Sequence, residues 1–532
     1  MREWFKPPRA YVLLFAFTLL FRIATALPVE QTGYMDASYA IHVAENLARG
    51  RGFTEDVLWN YLDDPAGLPH PSNLYWMPLP SILIAPFFVL FGDSYHVAQI
   101  PFILLSSLLP LFAFYLSRRI FQRDDYAWTA ALFTTFSGFY TIYWISPDNF
   151  APFALTASVC LYVIARGVET QMARYFVAAG VLAALSHLSR ADGVLLLAIA
   201  PLALLAYRPT RVPSVVLRYT FYVLLAYLIT MSPWFIRNYF AVGTPYPSAG
   251  TKTLWLTSYD ELFRYANDLN PARYLATGVG TIIEAKLRAG LLDALVVTFG
   301  ALQLFLVPFA MVGLWRIRRR IELMPFFMYA VFLYLAMVFL FTFPSPRGSM
   351  LHSSTALLPF FAVAAPLGID ILIEWIAQRR KTWNVAQASI VFRGGFIALA
   401  IFLSVYLYVQ GVFPIFSAPT NIPLWNERDL QYREIAAWLD QNARADDMVM
   451  VVDPPTFYNL SHHRAIMIPT DSIDAIFSVA KRYRAKYLIL EYDHPKPLSD
   501  LYLSGTSIVG LERVADFRDA LGKPVTLFKV TP

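Results

Sequence analysis

Residues 10–27 read AYVLLFAFTLLFRIATAL, a mostly apolar run preceded by Arg2, Lys6 and Arg9 and followed by Pro28. An α-helix needs about 20 such residues to cross the hydrocarbon core of a bilayer. A basic leader before an apolar run also describes a secretory signal. This run is long, however, and Leu27-Pro28 lacks the small residues of a cleavage site. It is read as a retained first transmembrane helix, and the rest of the chain repeats its pattern.

Further apolar runs lie at 96–117, 126–144, 150–165, 174–189, 192–207, 216–236, 291–315, 324–343, 350–376 and 394–413, which makes about eleven spans in all. The run 79–91 is shorter and carries Pro80 and Pro86, so it is expected to lie at the interface or dip into it. Of the 532 residues 57% are hydrophobic and only 15% charged, against about 25% charged in soluble domains. A water-soluble globule cannot bury so much apolar surface, whereas lipid solvates it. The single cysteine, Cys160, sits inside an apolar run, which fits a packing residue and excludes an internal disulfide framework.

A net charge of +6 would suit nucleic acid if it formed one patch. Here it is divided among the connections. Arg2, Lys6 and Arg9 precede the first span, and Arg118, Arg119 and Arg123 follow the second. Arg166 and Arg174 come next, then Arg208, Arg211 and Arg218, then Arg316, Arg318, Arg319 and Arg320, and last Arg379, Arg380, Lys381 and Arg393. With about eleven spans every cluster falls on one side, which the positive-inside rule makes the cytoplasm. The expectation is a multi-pass protein of the plasma (cell inner) membrane, with a cytoplasmic N-terminus and an extracytoplasmic C-terminus.

The outer face then receives residues 28–95, the turns 145–149, 187–192 and 344–350, the loop 237–290 and the tail from 414. Within the tail, strand-like runs (448–452, 487–491, 525–530) alternate with helical stretches (429–441, 473–483). A transmembrane domain over 1–415 and a small extracytoplasmic α/β domain over 420–532 are expected. No repeat of solenoid period is visible, nor the paired interrupted segments of inverted-repeat transporters.

The polar residues of interest sit on that outer face. After Asp36, the residues Tyr39, Ala40, Val43, Ala44 and Leu47 recur at helical spacing, as in an amphipathic helix lying on a membrane surface. Asp36 is either a simple cap of that helix or a reactive carboxylate. Asp148 follows the third expected span and could cap the fourth. Arg190 and Asp192 share a tight turn, where a local ion pair is the plain reading. Arg237 with Asn238 ends the seventh span, where Arg237 could merely snorkel, and Arg347 and His352 flank 348–351. Ionisable groups next to hydrocarbon are expensive and are usually kept for function or for pairing. Carboxylates and arginines from several spans meet at the depth of a lipid phosphate. Arginine's planar fork suits that anion, and a carboxylate can take a proton from an incoming hydroxyl. The pair His462-His463 has no further spaced ligands and is read as surface loop.

At these residues the chain resembles the C-type (GT-C) glycosyltransferases, in particular the bacterial relatives of protein O-mannosyltransferases and of the lipid A aminoarabinose transferase. The likeness runs over roughly the first 380 residues. It rests on Asp36 after the first span, the stretch from Tyr39 to Phe53, Tyr75 to Pro80 leading through Leu90-Phe91-Gly92 to Arg118-Arg119, Asp148, Arg190-Ala-Asp192-Gly193, and Pro233-Trp234 with Arg237-Asn238 and Gly243. The resemblance implies transfer of a sugar from a polyprenyl-phosphate-linked donor to an acceptor hydroxyl on the outer face, with inversion. Asp36 would be the general base, assisted by Asp148. Arg237, Arg347 and Arg190 would hold the donor phosphate, and Tyr39, Tyr75, Asn238 and His352 would line the substrate site. A shared cavity for Asp36 and Arg237 is the spatial expectation.

Two positions depart from the family. A basic residue before a Pro-Pro pair is replaced by Trp76-Met77-Pro78-Leu79-Pro80, leaving His70 as a candidate substitute, and an Arg-Tyr pair is Arg347-Gly348 here. No cofactor is expected. A divalent metal on Asp36 and Asp148 is conceivable but not predicted. Expected partners are the lipid-linked donor, a lipid, glycan or protein acceptor, and the bilayer, with no nucleic acid. A polytopic lipid or sugar transporter or flippase without covalent chemistry is the alternative. It calls for ionisable groups near the midplane, where these spans carry almost none. A non-catalytic membrane scaffold accounts for the tail but not for the clustered charges.

Overall fold

The structure is a computed structural model and describes residues 7–265, 267–342, 349–380, 382–413 and 423–531. Seven of its helices are long and apolar enough to cross a membrane: Pro8–Ala26, Tyr95–Phe121, Phe150–Thr170, Pro213–Val242, Ile321–Phe339, Leu358–Arg379 and Val385–Val412. Four shorter apolar helices stand among them, Leu79–Phe91, Ala173–Ser189, Ala191–Ala206 and Val307–Ile317. Many large apolar side chains point outward, such as Leu217, Phe240 and Val391. Water would penalise that surface and lipid does not. This is a multi-pass membrane architecture.

Two expected spans are broken. Instead of one helix over 126–144, the helix Asp124–Thr135 stops and 3-10 turns (Gly138–Thr141, Tyr143–Ile145) carry the chain on. The freed carbonyls are satisfied from neighbouring spans: Arg22 donates to Thr135 O at 3.1 Å and Gln303 to Phe136 O at 2.9 Å. Backbone leaves the helical path inside a membrane only where other protein groups satisfy it. The run 291–315 is likewise divided into Val279–Val296, a π-helical turn Val297–Ala301 and Val307–Ile317, and the turn delivers Gln303 to its acceptor.

Small residues set the tightest helix contact. A Cβ on Gly313 would lie 2.0 Å from Ala364 O, and one on Gly368 would lie 1.9 Å from Phe309 O. The helices Val307–Ile317 and Leu358–Arg379 therefore touch backbone to backbone, as small residues allow in a bilayer.

Beyond residue 423 the chain builds a six-stranded sheet. Its order is Val57–Leu58, Ala465–Met467, Met448–Val451, Ala485–Leu490, Pro524–Val530, Leu511–Arg518. The first three pairings are parallel and the last two antiparallel. The expected helices and the strands near 448, 487 and 525 are present, whereas 465–467 and 511–518 were not anticipated. The edge strand Val57–Leu58 comes from the first outer segment, so that segment and the C-terminal domain share one sheet. A membrane-surface helix was expected after Asp36. The helix Met35–Ala48 is instead buried from Ala37 to Asn46, between helix Leu79–Phe91 and helix Pro454–Ser461 of the C-terminal domain. Its apolar residues face protein on all sides, because the C-terminal domain covers the face that lipid was expected to cover.

Candidate active site

Asp36 occupies the first turn of Met35–Ala48, whose N-cap position is Tyr34 with no side-chain cap. The plain capping role is therefore not the one it fills. Asp148 ends the 3-10 segment just before helix Phe150–Thr170, where its Oδ1 accepts the Asn149 N–H at 2.5 Å. His352 stands on the short helix Ser349–Ser353. Three distant pieces of chain thus converge, with the ligand atoms of Asp36, Asp148 and His352 all within 4.8 Å of one another.

The imidazole lies between the two carboxylates. His352 Nε2 is 4.0 Å from Asp36 Oδ2, and Nδ1 is 3.8 Å from Asp148 Oδ2 and 2.8 Å from Asn149 Oδ1. Phe150 stacks on the ring at 4.1 Å and fixes its plane. The Tyr34 hydroxyl donates to Asp148 Oδ2 at 3.1 Å. Arg190 is the nearby fixed cation. Its Nε donates to Asp192 Oδ1 at 3.0 Å and Ser353 Oγ at 3.2 Å, its Nη1 to Asn149 Oδ1 at 3.4 Å and its Nη2 to Ser349 O at 3.3 Å. The local Arg190–Asp192 pair is real, and it serves to aim the guanidinium.

Burial and the neighbouring Asp148 charge push the Asp36 carboxyl well above the usual carboxylate range, against the pull of Arg190. Burial pushes Asp148 up to about 6, opposed by its hydrogen bonds from Asn149 and Tyr34. Burial and the Arg190 charge hold His352 well below its ordinary value, so the ring is neutral. Two close carboxylates that avoid double ionisation are a pattern of acid–base sites.

Asp36, Arg190 and His352 line a cavity of about 1100 Å³, and Asp148 lines a small recess that shares Asp36 with it. Trp59, Tyr75, Trp76 and Met77 line one part of its wall, Arg264 and Arg288 another, and Glu427, Arg428, Asp453, Asp493 and Lys496 of the C-terminal domain a third. Arg288, on helix Val279–Val296, is exposed and has no hydrogen-bond or ion-pair partner among the described residues. Next to it Leu287 belongs to an outward apolar stripe with Val279, Ile283, Leu291 and Leu295. A free guanidinium thus sits where a lipid-facing helix meets the cavity.

The Asp36–Asp148–His352 set also has the donor chemistry for a divalent cation. Bonds of about 2.2 Å to each ligand require donor atoms within about 4.4 Å of one another, so the set would need to close by a few tenths of an ångström. His352 would supply the imidazole and the aspartates the hard oxygens.

A family model described as dolichyl-phosphate-mannose-protein mannosyltransferase matches residues 70–236. No curated protein matches the chain in sequence. Among solved structures, apo ArnT from Cupriavidus metallidurans superposes with a TM-score of 0.59 at 14% identity, over 99% of this chain and 100% of that one. The same protein bound to undecaprenyl phosphate gives 0.56 at 16% identity, with the same coverage. The Archaeoglobus fulgidus oligosaccharyltransferase, in its apo form, gives 0.55 at 14% identity, over 92% of this chain and 70% of that one. The fold is GT-C.

Within this GT-C frame the anticipated residues separate into groups. Asp36, Arg190, Tyr75 and His352 lie at the cavity, and Asp148 and Tyr39 border a small recess beside Asp36. Arg237 is not brought to the carboxylates. Its Nη2 donates to Phe53 O at 2.7 Å, its Nη1 to Asn238 Oδ1 at 3.0 Å, and its plane lies against Phe53 and Trp234. Asn238 is spent on Arg237 and Pro245 O. The expected shared cavity of Asp36 and Arg237 is thus replaced by one holding Asp36 and Arg190. His70 pairs with Glu55 at 2.9 Å, away from the cavity, and His463 pairs with Asp440 at 3.0 Å. Arg347 lies outside the described residues. Sequence reasoning missed Arg288, Arg264, Arg428 and Trp59. For Arg288 a signal existed in the apolar residues Val279, Ile283, Leu287, Leu291 and Leu295, which recur at helical spacing around it.

Proposed function

We propose that this chain is a polyprenyl-phosphate-sugar-dependent glycosyltransferase that works at the extracytoplasmic face. The carrying observation is the convergence of Asp36, Asp148 and His352, with Asp36, His352 and Arg190 on a cavity large enough for a sugar and its acceptor. The GT-C fold supports the reaction class, and the relative solved with undecaprenyl phosphate supports the donor class.

The orientation follows from charge. Helices Phe150–Thr170 and Leu358–Arg379 both begin at the site, and their far ends carry Arg166 and Arg379. The arginine-rich connections gather at that far end. Arg119 reaches Glu169 and Glu322 at 3.4 and 3.8 Å, and Arg320 donates to Ile120 O. With the basic end cytoplasmic, the site and the C-terminal domain are outside.

In the reaction, Asp36 takes the proton of an acceptor hydroxyl. The oxygen attacks the anomeric carbon opposite the phosphate, the bond from that carbon to the phosphate oxygen breaks, and its electron pair leaves with the lipid phosphate. Asp148 and neutral His352 keep Asp36 basic enough to act near neutral pH. Arg190, locked by four acceptors, supplies positive charge without reorganisation, and Arg288 captures the phosphate from the lipid side. Arg347 remains a further candidate for the phosphate, as in the family. No metal is required in this reading, since a shared proton relieves the carboxylate pair. The test is to incubate purified protein with a polyprenyl-phosphate sugar and follow sugar release and transfer. An Asp36→Asn protein as active as wild type removes the base assignment. A membrane-potential-independent flux of intact donor across proteoliposomes, with no covalent product, would favour the transporter instead.

A further inference from the structure

The C-terminal domain grips the chain on both sides of Asp36. Upstream, Gly33 has φ +71°, and a Cβ there would lie 2.3 Å from the Trp425 indole. Trp425 Nε1 donates to Gln31 O at 3.1 Å, and its ring meets Tyr34 edge-on at 5.6 Å. Tyr34 is also the residue that hydrogen-bonds Asp148. Downstream, the fully buried Ser38 hydroxyl lies 2.8 Å from Thr456 Oγ1, and Asn459 Nδ2 donates to Ser38 O at 2.8 Å. Thr456 and Asn459 stand on helix Pro454–Ser461. Its N-cap Asp453 accepts the Thr456 N–H at 3.2 Å and is held by Arg428 Nη1 at 3.1 Å.

Segment 27–34 is not helical and includes a glycine in the left-handed region, so its own backbone offers little rigidity. A base displaced by about 1 Å loses on the order of a hundredfold in rate. We propose that Trp425, Thr456 and Asn459 are positioning residues, through which the C-terminal domain holds Asp36 in its reactive place. The kinetic part of this proposal rests on the glycosyltransferase reading, whereas its structural part does not. Gly33 is kept without a side chain so that the indole can lie directly on the backbone three residues before the base.

The test uses the full chain in detergent or nanodiscs and has two arms. In hydrogen exchange without substrate, Trp425→Ala is expected to exchange at least tenfold faster across residues 29–38, with strand 448–451 unchanged. In turnover with a polyprenyl-phosphate sugar, kcat is expected to fall at least tenfold with the donor KM within twofold. Trp425→Phe keeps a ring over Gly33 and is expected to restore kcat to within threefold. The charged and titratable groups facing Asp36 are Asp148, Arg190, His352, Asp453, Tyr34 and Tyr75, and none is substituted. Should Trp425→Ala fail to fold, Thr456→Val and Asn459→Ala carry the same expectations in weaker form. Unchanged exchange across 29–38, or unchanged kcat in a folded variant, overturns the proposal. A wild-type protein inactive on every lipid-linked sugar sinks the reaction, and the exchange arm then decides the clamp alone.

Discussion

Asp36 and Asp148 face the same imidazole, His352, whose Nε2 lies 4.0 Å from the first carboxylate and whose Nδ1 lies 3.8 Å from the second. The two acids belong to different elements and share one electrostatic environment, so their protons titrate as a pair.

Replacing either acid therefore has an unequal effect. Asp36→Asn is expected to lower kcat by about 10²–10⁴-fold, the usual worth of a general base. Asp148→Asn leaves the base in place and removes a like charge beside it. A smaller loss is expected, together with an acid limb moved to lower pH, because the neighbouring charge is one cause of the raised Asp36 value. Steady-state rates from pH 4 to 9 check both outcomes. Equal losses with superimposable profiles would remove the division of roles.

The pH dependence of the wild type follows from the same pair. Both carboxyls are raised, Asp148 to about 6 and Asp36 well above its ordinary value. The base must be ionised to accept a proton, so kcat/KM is expected to rise with pH along an acid limb that lies above the usual carboxylate range, and to fall away below it. Burial keeps His352 neutral, and it adds no second rise. A profile already flat at pH 5 would contradict this placement.

The donor phosphate gives a test of charge placement. Arg288→Gln is expected to raise the donor KM about tenfold, roughly 1.4 kcal/mol, within the range for hydrogen bonds to charged groups. Arg237, engaged by Phe53 and Asn238, is expected to affect thermal stability when changed to Gln and to leave the donor KM within twofold. Titration with polyprenyl-phosphate sugar separates the two variants, and a reversed ranking would return the phosphate to Arg237.

Chelation separates a proton-sharing pair from a metal-bearing one. With EDTA present, activity is expected to persist within twofold on the proton-sharing reading. A complete loss restored by Mn²⁺ or Mg²⁺ would place a cation on Asp36, Asp148 and His352.

At the opposite end of the bundle, Arg393 donates to Asp125 at 2.6 Å and lies 3.6 Å from Asp370, tying the sparsely buried helix Val385–Val412 to its neighbours. Arg393→Met leaves the nearly buried Asp370 with the Tyr126 hydroxyl at 2.7 Å and, as its cation, Arg123 at 3.7 Å. Breaking a buried pair costs about 3–5 kcal/mol. The expected outcome is a lower unfolding temperature with unchanged donor KM, largely recovered in Arg393→Met/Asp370→Asn.

The sequence by itself determined the multi-pass membrane architecture, because apolar runs are local properties that lipid reads directly. It also marked Asp36, Asp148, Arg190 and His352 as polar residues at one edge of the bilayer, and it located the α/β tail by its alternating pattern. Only the tertiary structure decided which arginine shares the cavity with the carboxylates. Arg237 and Arg190 both end apolar helices, and their different fates depend on contacts with Phe53 in one case and Ser353 in the other. The broken span at Thr135 was hidden for the same reason. Its apolar pattern continues unbroken, and the carbonyls freed where the helix stops are met by donors from other spans, Arg22 and Gln303. The burial of helix Met35–Ala48 and the strand that residues 57–58 lend to the outer sheet arise from pairing with residues some 400 positions away, which no local period encodes.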